Sequence, residues 1–144
     1  AMGAKIGKPE APVFAIQGDG AWGISGLSEV MTAVREKIPV IAIVINNHEW
    51  GAEKKNQIDY YDDRYVGTNL ENPSFAGIAE AMGGGGIRVS HPGEVGDALR
   101  AAIASERGTV VELLCGPDLA EPFRRDALKK PERLLEKYQS YTVR

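Results

Sequence analysis

Two short stretches carry residue types suited to metal and phosphate chemistry. In "GDG" at 18–20, Asp19 stands between two glycines directly after an apolar run, and in "NN" at 46–47 two amides close the run "PVIAIVI". A hard cation such as Mg2+ takes oxygen ligands in near-octahedral geometry, usually a carboxylate or two with phosphate oxygens and water. Asp19 offers a carboxylate and Asn47 an amide oxygen. Gly18 and Gly20 lack side chains, so the backbone there can turn and approach a phosphate, while the next residues open a helix whose N-terminus favours an anion. On this reading Asp19 is exposed in order to hold a metal.

Each stretch alone has a bland explanation, since a lone "GDG" is a common turn and a bare "NN" is unremarkable. Their spacing changes the balance. The 25 residues from Ala21 to Ile45 are just enough for one crossover helix and one return strand. Asp19 and Asn47 would then end neighbouring parallel strands and face one small volume.

The surrounding elements support that placement. "APVFAIQ" reads as a buried strand bounded by Pro12 and Gly18, preceded by a short helix end broken at Pro9. "SGLSEVMTAVREK", 25–37, places Leu27, Val30, Met31 and Val34 at helical spacing, with Ser25 or Ser28 available as N-cap. "VIAIVI", 40–45, is apolar without alternation, as in a strand covered on both faces. Residues 52–71 read as a functional loop with a short helix near its start. "NPSFAGIAEAMG" predicts a helix with Pro73 at its N-terminus, stopped by the glycines at 83–86, and "IRVS" a short strand.

"HPGEVGDALRAAIASERG" predicts another helix, with Val95, Leu99 and Ile103 on its apolar face, and "TVVELLC" a buried strand. This alternation specifies an α/β fold, a doubly wound, mostly parallel sheet with helices on both faces, whose ligands bind beyond the carboxyl ends of the strands. Residues 1–116 form the expected domain, whose N-terminal part lies upstream. Residues 117–144, charged and interrupted by Pro117, Pro122 and Pro131, form a tail packing on the domain or on a partner, with a last short helix at 131–138.

Bulk properties narrow the function classes. The chain has 144 residues, 43% hydrophobic, and a formal net charge of -3, which gives no electrostatic reason to expect nucleic acid. The lone Cys115 cannot form an internal disulfide and no signal segment opens the chain, which fits a reducing cytoplasm. The longest apolar run is far below the roughly 20 residues needed to cross a bilayer.

"GDG", about 25 residues and "NN" resemble the signature of the thiamine diphosphate enzymes. The resemblance implies thiamine diphosphate and Mg2+ as cofactors, with the metal held by Asp19, Asn47 and the backbone carbonyl of Glu49. It implies a diphosphate cradle from the backbone of Gly18, Gly20, Ala21, Trp50 and Gly51, and a structural role for Asn46. A narrower resemblance, carried by "GDGAWGIS", "NNHEWGAEKKNQIDYYDDRYVGTNLENPSFAGIAEAMG" and "EPFRRDALKKPERLLEKY", is to the sulfoacetaldehyde acetyltransferases of the acetolactate-synthase-like branch. These imply anionic small-molecule substrates, sulfoacetaldehyde and phosphate, converted to acetyl phosphate and sulfite, in a homodimer or tetramer of the full-length protein.

No catalytic residue is expected in this chain, because the family's activating glutamate lies on a separate pyrimidine-binding domain, so the isolated chain should be inactive. The stretch "GISGLSE" departs from the family pattern by an additional glycine. Two alternatives stay open: an acetolactate synthase-like or other lyase acting on a 2-oxo acid, and a noncatalytic binding or assembly module of the same fold.

Other candidates weigh less. His48 beside the metal loop has an imidazole better suited to softer metals, and His91 reads as a capping or surface residue. Cys115 reads as a buried small side chain. Lys54 and Lys55 either approach an anionic substrate or form a solvated pair, and the basic run 123–130 has the same two readings. Tyr60, Tyr61 and Tyr65 could offer a base-stacking surface, but Asp59, Asp62 and Asp63 among them argue for packing onto a partner domain.

Overall fold

The computed structural model describes residues 1–117. α1 (Met2–Gly7) precedes β1 (Val13–Gly18). Asp19 then starts a continuous helical run: α2 (Asp19–Ala21), a π turn over Trp22–Gly26, and α3 (Leu27–Arg35). The helix therefore begins at the acidic residue itself, six residues before the expected start. Neither serine caps it, and Ser25 Oγ instead donates to the Ala21 carbonyl at 3.2 Å. A π turn holds one residue more than an α turn, and the additional glycine of "GISGLSE" lies within it. A Cβ on Gly26 would strike the Trp22 indole, so this glycine makes room for the ring against the helix.

β2 (Val40–Asn46), α4 (Gly51–Tyr60), α5 (Phe75–Ala81), β3 (Gly85–Val89), α6 (Val95–Ala104) and β4 (Thr109–Leu114) complete the described chain. The four strands form one parallel sheet in the order β1-β2-β4-β3. Travel across the sheet runs one way from β1 to β3 and turns back for β4. Right-handed crossovers then put α3 and α5 on one face and α6 on the other. The core divides accordingly. Trp22, Val30, Phe75 and Ala79 pack on Ala42, Val44 and Val110 at one face; Ala98 and Ala102 of α6 pack on Ile41, Ile43, Val89 and Val111 at the other.

Four expectations are corrected here. α5 starts after Pro73, with Ser74 as N-cap accepting from Gly77 N at 3.1 Å. Gly85 and Gly86 belong to β3 rather than to a stop signal, because α5 crosses so close that a Cβ on Gly86 would fall within 2.8 Å of the Ala76 carbonyl carbon and closer to its oxygen. On α6 Val95 and Leu99 pack half-buried against the sheet, as expected, beside the buried Ala98 and Ala102, but Ile103, expected on the same face, is exposed. The buried reading of β1 fails as well, because this edge strand is left uncovered by α6 and Phe14 and Ile16 remain exposed. The predicted helix at 131–138 and the rest of the tail lie outside the described residues.

Candidate metal and cofactor site

The parallel register fixes where the chemistry-bearing residues fall. Gly18 pairs with Ile45 and Asn46 with Leu114, so the carboxyl ends of β1, β2 and β4 are level and adjacent. Asp19 leaves β1 one residue past its last pair, and Asn47 follows β2 directly. The two residues thus stand at the tips of neighbouring strands, as the spacing requires.

Asp19 is not exposed as expected: it is only 2% accessible. Asn72, in the segment before α5, reaches over the strand tips, and its Nδ2 donates to Asp19 Oδ2 at 2.6 Å. Among the described residues no lysine or arginine pairs with this carboxylate, and its Oδ1 has no hydrogen-bond partner. A buried carboxylate held by one neutral amide is costly unless a cation joins it. That arrangement fits a divalent metal with an open carboxylate oxygen.

Beneath it lies a polar chain inside the sheet. Asn46, fully buried, donates from Nδ2 to Glu112 Oε1 at 2.8 Å, and its Oδ1 accepts from Asn72 Nδ2 at 3.0 Å and from His48 N at 3.2 Å. Glu112 is 0% exposed in the middle of β4, and its Oε2 accepts from Ser74 Oγ at 3.1 Å and Ala76 N at 3.2 Å, with Arg88 Nε at 3.9 Å. The structural role expected of Asn46 matches this placement. Asn72 and Glu112 were not legible as site residues. Glu112 left one signal, an acid within the apolar strand "TVVELL"; Asn72 left none, because only the fold brings it to Asp19 across 53 positions.

The loop after β2 is locally constrained. Asn47 Oδ1 accepts from Glu49 N at 3.2 Å, and His48 holds a left-handed φ of 59°. Glu49 pairs with Asn69, while Trp50 N donates to Thr68 O at 2.7 Å, which ties this loop to the segment beyond α4. The two glycines differ in use. A Cβ on Gly20 would lie 2.8 Å from the Trp50 ring, so Gly20 makes room for that indole, whereas a Cβ on Gly18 would meet nothing within 4 Å. Open space for an approaching group therefore lies at Gly18. Ala21 is exposed, and Gly51 opens α4.

Lys54 pairs with Glu49, itself 9% exposed, and stands 5.5 Å from the Tyr65 ring centroid; Lys55 pairs with Asp59 at 2.6 Å. Both lysines thus have carboxylate partners rather than forming a solvated pair. Tyr65 donates to Asp63 at 2.7 Å, and this bond raises its pKa above 10.0, with smaller contributions from desolvation and from the charges of Asp63 and Glu49. His48 and His91 are exposed. Cys115 is exposed too, contrary to the buried reading, because β4 ends at Leu114 and the thiol lies past the sheet. Tyr61 and Tyr65 are exposed, and the basic run at 123–130 lies outside the described residues. No described helix is long and apolar enough to cross a membrane.

Comparison with known proteins agrees with this geometry. Residues 1–113 match the family model described as thiamine pyrophosphate enzyme, C-terminal TPP binding domain. The chain is 53% identical to sulfoacetaldehyde acetyltransferase of Castellaniella defragrans over 98% of this chain and 24% of that protein. It is 38% identical to acetolactate synthase of Mycobacterium avium over 82% of this chain and 20% of that protein. The chain thus spans about a quarter or less of the length of these relatives. Among solved structures, the thiamine diphosphate-dependent 4-hydroxybenzoylformate decarboxylase of Rhodococcus jostii RHA1 superposes with a TM-score of 0.76 at 27% identity, over 83% of this chain and 23% of that one.

Proposed function

The chain belongs to the thiamine pyrophosphate enzymes, as their C-terminal TPP binding domain, and from that premise we propose that it supplies the diphosphate and metal half-site of a sulfoacetaldehyde acetyltransferase. The whole protein would convert sulfoacetaldehyde and phosphate to acetyl phosphate and sulfite. Greater identity to sulfoacetaldehyde acetyltransferase than to acetolactate synthase supports this substrate over a 2-oxo acid. The observation that carries the site assignment is the buried Asp19 carboxylate with a neutral amide as its partner.

Asp19, Asn47 and the carbonyl of Glu49 would hold Mg2+, and the backbone at Gly18, Gly20, Ala21, Trp50 and Gly51 would hold the diphosphate. Thiamine diphosphate, when bound, supplies the carbanion chemistry. The residues of this chain bind and orient. Gly18 leaves space for the diphosphate, Trp50 packs on Gly20 and fixes the start of α4, and the strand tips set the metal carboxylate. The activating group is expected on another domain of the whole protein, as the family resemblance implies, and the isolated chain is expected to be inactive. The uncovered apolar strip of Phe14 and Ile16 supports the reading that further polypeptide or a second copy packs there, as in a dimer or tetramer.

Assays on the full-length protein separate the readings. Sulfite release from sulfoacetaldehyde, dependent on phosphate, is expected. Acetolactate formation from pyruvate without sulfite release would move the protein to the synthase reading, and failure to bind both Mg2+ and thiamine diphosphate in calorimetry would identify a noncatalytic module.

A further inference from the structure

We propose that Asn72 is a positioning residue for the metal carboxylate, fixed in its orientation by a hydrogen-bond chain anchored at Glu112. This rests on the metal reading of Asp19 given above. Asn72 is not among the residues expected to hold the metal or the diphosphate; it acts through Asp19.

The polarity of the chain follows from its buried end. A carboxylate only accepts, so Glu112, fully buried, turns the NH2 of Asn46 toward itself. The Asn46 carbonyl oxygen is then forced to point away and needs donors of its own. It finds the His48 N–H and one hydrogen of Asn72 Nδ2. That in turn fixes the Asn72 amide with its nitrogen inward, and the second hydrogen of the same nitrogen goes to Asp19 Oδ2. Both donors of one NH2 are thus used by two acceptors on adjacent strand tips, and no rotation of Asn72 satisfies both with its oxygen.

The consequence concerns which oxygen of Asp19 is free. With Oδ2 engaged at 2.6 Å, the carboxylate is held in one rotamer and Oδ1 is the oxygen left for a cation. Ser74 and Ala76, which follow Asn72 closely in the chain, also bind Glu112. The segment carrying Asn72 is therefore anchored to the same buried acid that orients Asn46. Groups that orient a metal ligand in this way typically alter metal affinity on the order of 10- to 100-fold when removed.

Two substitutions in the full-length protein test the proposal, with Mn2+ as the probe in the presence of thiamine diphosphate. Free Mn2+ is read from its electron paramagnetic resonance signal, and thermal melting is followed with and without Mn2+. Asn72→Ala should raise the Mn2+ Kd on the order of 10- to 100-fold and shrink the metal-induced rise in Tm. Asn72→Leu keeps the volume but cannot donate to Asp19 or to Asn46, and it should raise the Mn2+ Kd to a similar extent. A residue needed only for packing would leave Asn72→Leu near the wild type.

Wild-type Mn2+ affinity in either variant overturns the proposal. If Asn72→Ala does not fold, Asn72→Leu decides alone: wild-type Mn2+ affinity in it overturns the proposal. Failure of the wild type itself to bind Mn2+ would instead remove the metal reading on which the proposal rests.

Discussion

Replacing Glu112 with Gln tests whether the buried acid organises the strand tips. The substitution keeps volume and shape, so packing is unchanged and only charge and hydrogen-bond polarity differ. Glu112 accepts from three donors, Asn46 Nδ2, Ser74 Oγ and Ala76 N. A glutamine has one acceptor oxygen and one NH2. If its oxygen faces Ser74 and Ala76, its NH2 confronts the Asn46 NH2, and Asn46 must flip, turning its own NH2 toward His48 N and Asn72. If its oxygen faces Asn46 instead, Ser74 can rotate to accept, but the Ala76 N–H is left facing a donor.

In either case at least one buried donor loses its partner, at about 1–3 kcal/mol, and the remaining bonds fall from charge-assisted to neutral strength, at about 1 kcal/mol together. The half-exposed Arg88, 3.9 Å away, contributes little. The expected loss is therefore about 2–4 kcal/mol, read from the urea midpoint at unchanged m-value, with faster hydrogen exchange at the Ala76 amide. Glu112→Leu, which orphans all three donors, should be worse than Glu112→Gln. A glutamine variant within about 0.5 kcal/mol of the wild type, with unchanged Ala76 exchange, would refute the account of this network.

Three further outcomes are expected. Gly86→Ala should destabilise by about 1–3 kcal/mol or more, because the clash is with the Ala76 backbone and α5 must move off β3; the same urea measurement checks it. Gly20→Ala should displace the Trp50 ring, shift the tryptophan fluorescence and weaken thiamine diphosphate binding, whereas Gly18→Ala should leave the fluorescence unchanged. Asp63→Asn should lower the Tyr65 pKa toward 10.0, since the bond to Asp63 favours the neutral phenol, is present below that pH and is lost as pH rises through the raised pKa; absorbance at 295 nm, with Tyr65→Phe as the blank, reads the shift.

Local signals made much of this structure legible. The unalternating run 40–45 specified a strand covered on both faces, and the 25-residue interval placed Asp19 and Asn47 at adjacent tips. What escaped depended on close approach between elements distant in the chain. Gly85 and Gly86 read as a helix stop, yet they serve strand β3 because α5 passes over it, and Gly20 serves Trp50 as much as any ligand. The start of the helix at Asp19 was obscured because "GAWGISG" is poor in helix formers; the π turn and the Trp22 packing on Gly26 support it instead. Asn72 carried no local mark, since its partners are set by the sheet and not by its neighbours.

The most direct measurement is anomalous diffraction from crystals of the full-length protein grown with Mn2+ and thiamine diphosphate. The account predicts one metal peak at about 2.0–2.2 Å from both the Asp19 carboxylate and the Asn47 amide oxygen, with the diphosphate beside it at the Gly18 backbone. A metal peak bound elsewhere, with Asp19 still held by Asn72 alone, would contradict it.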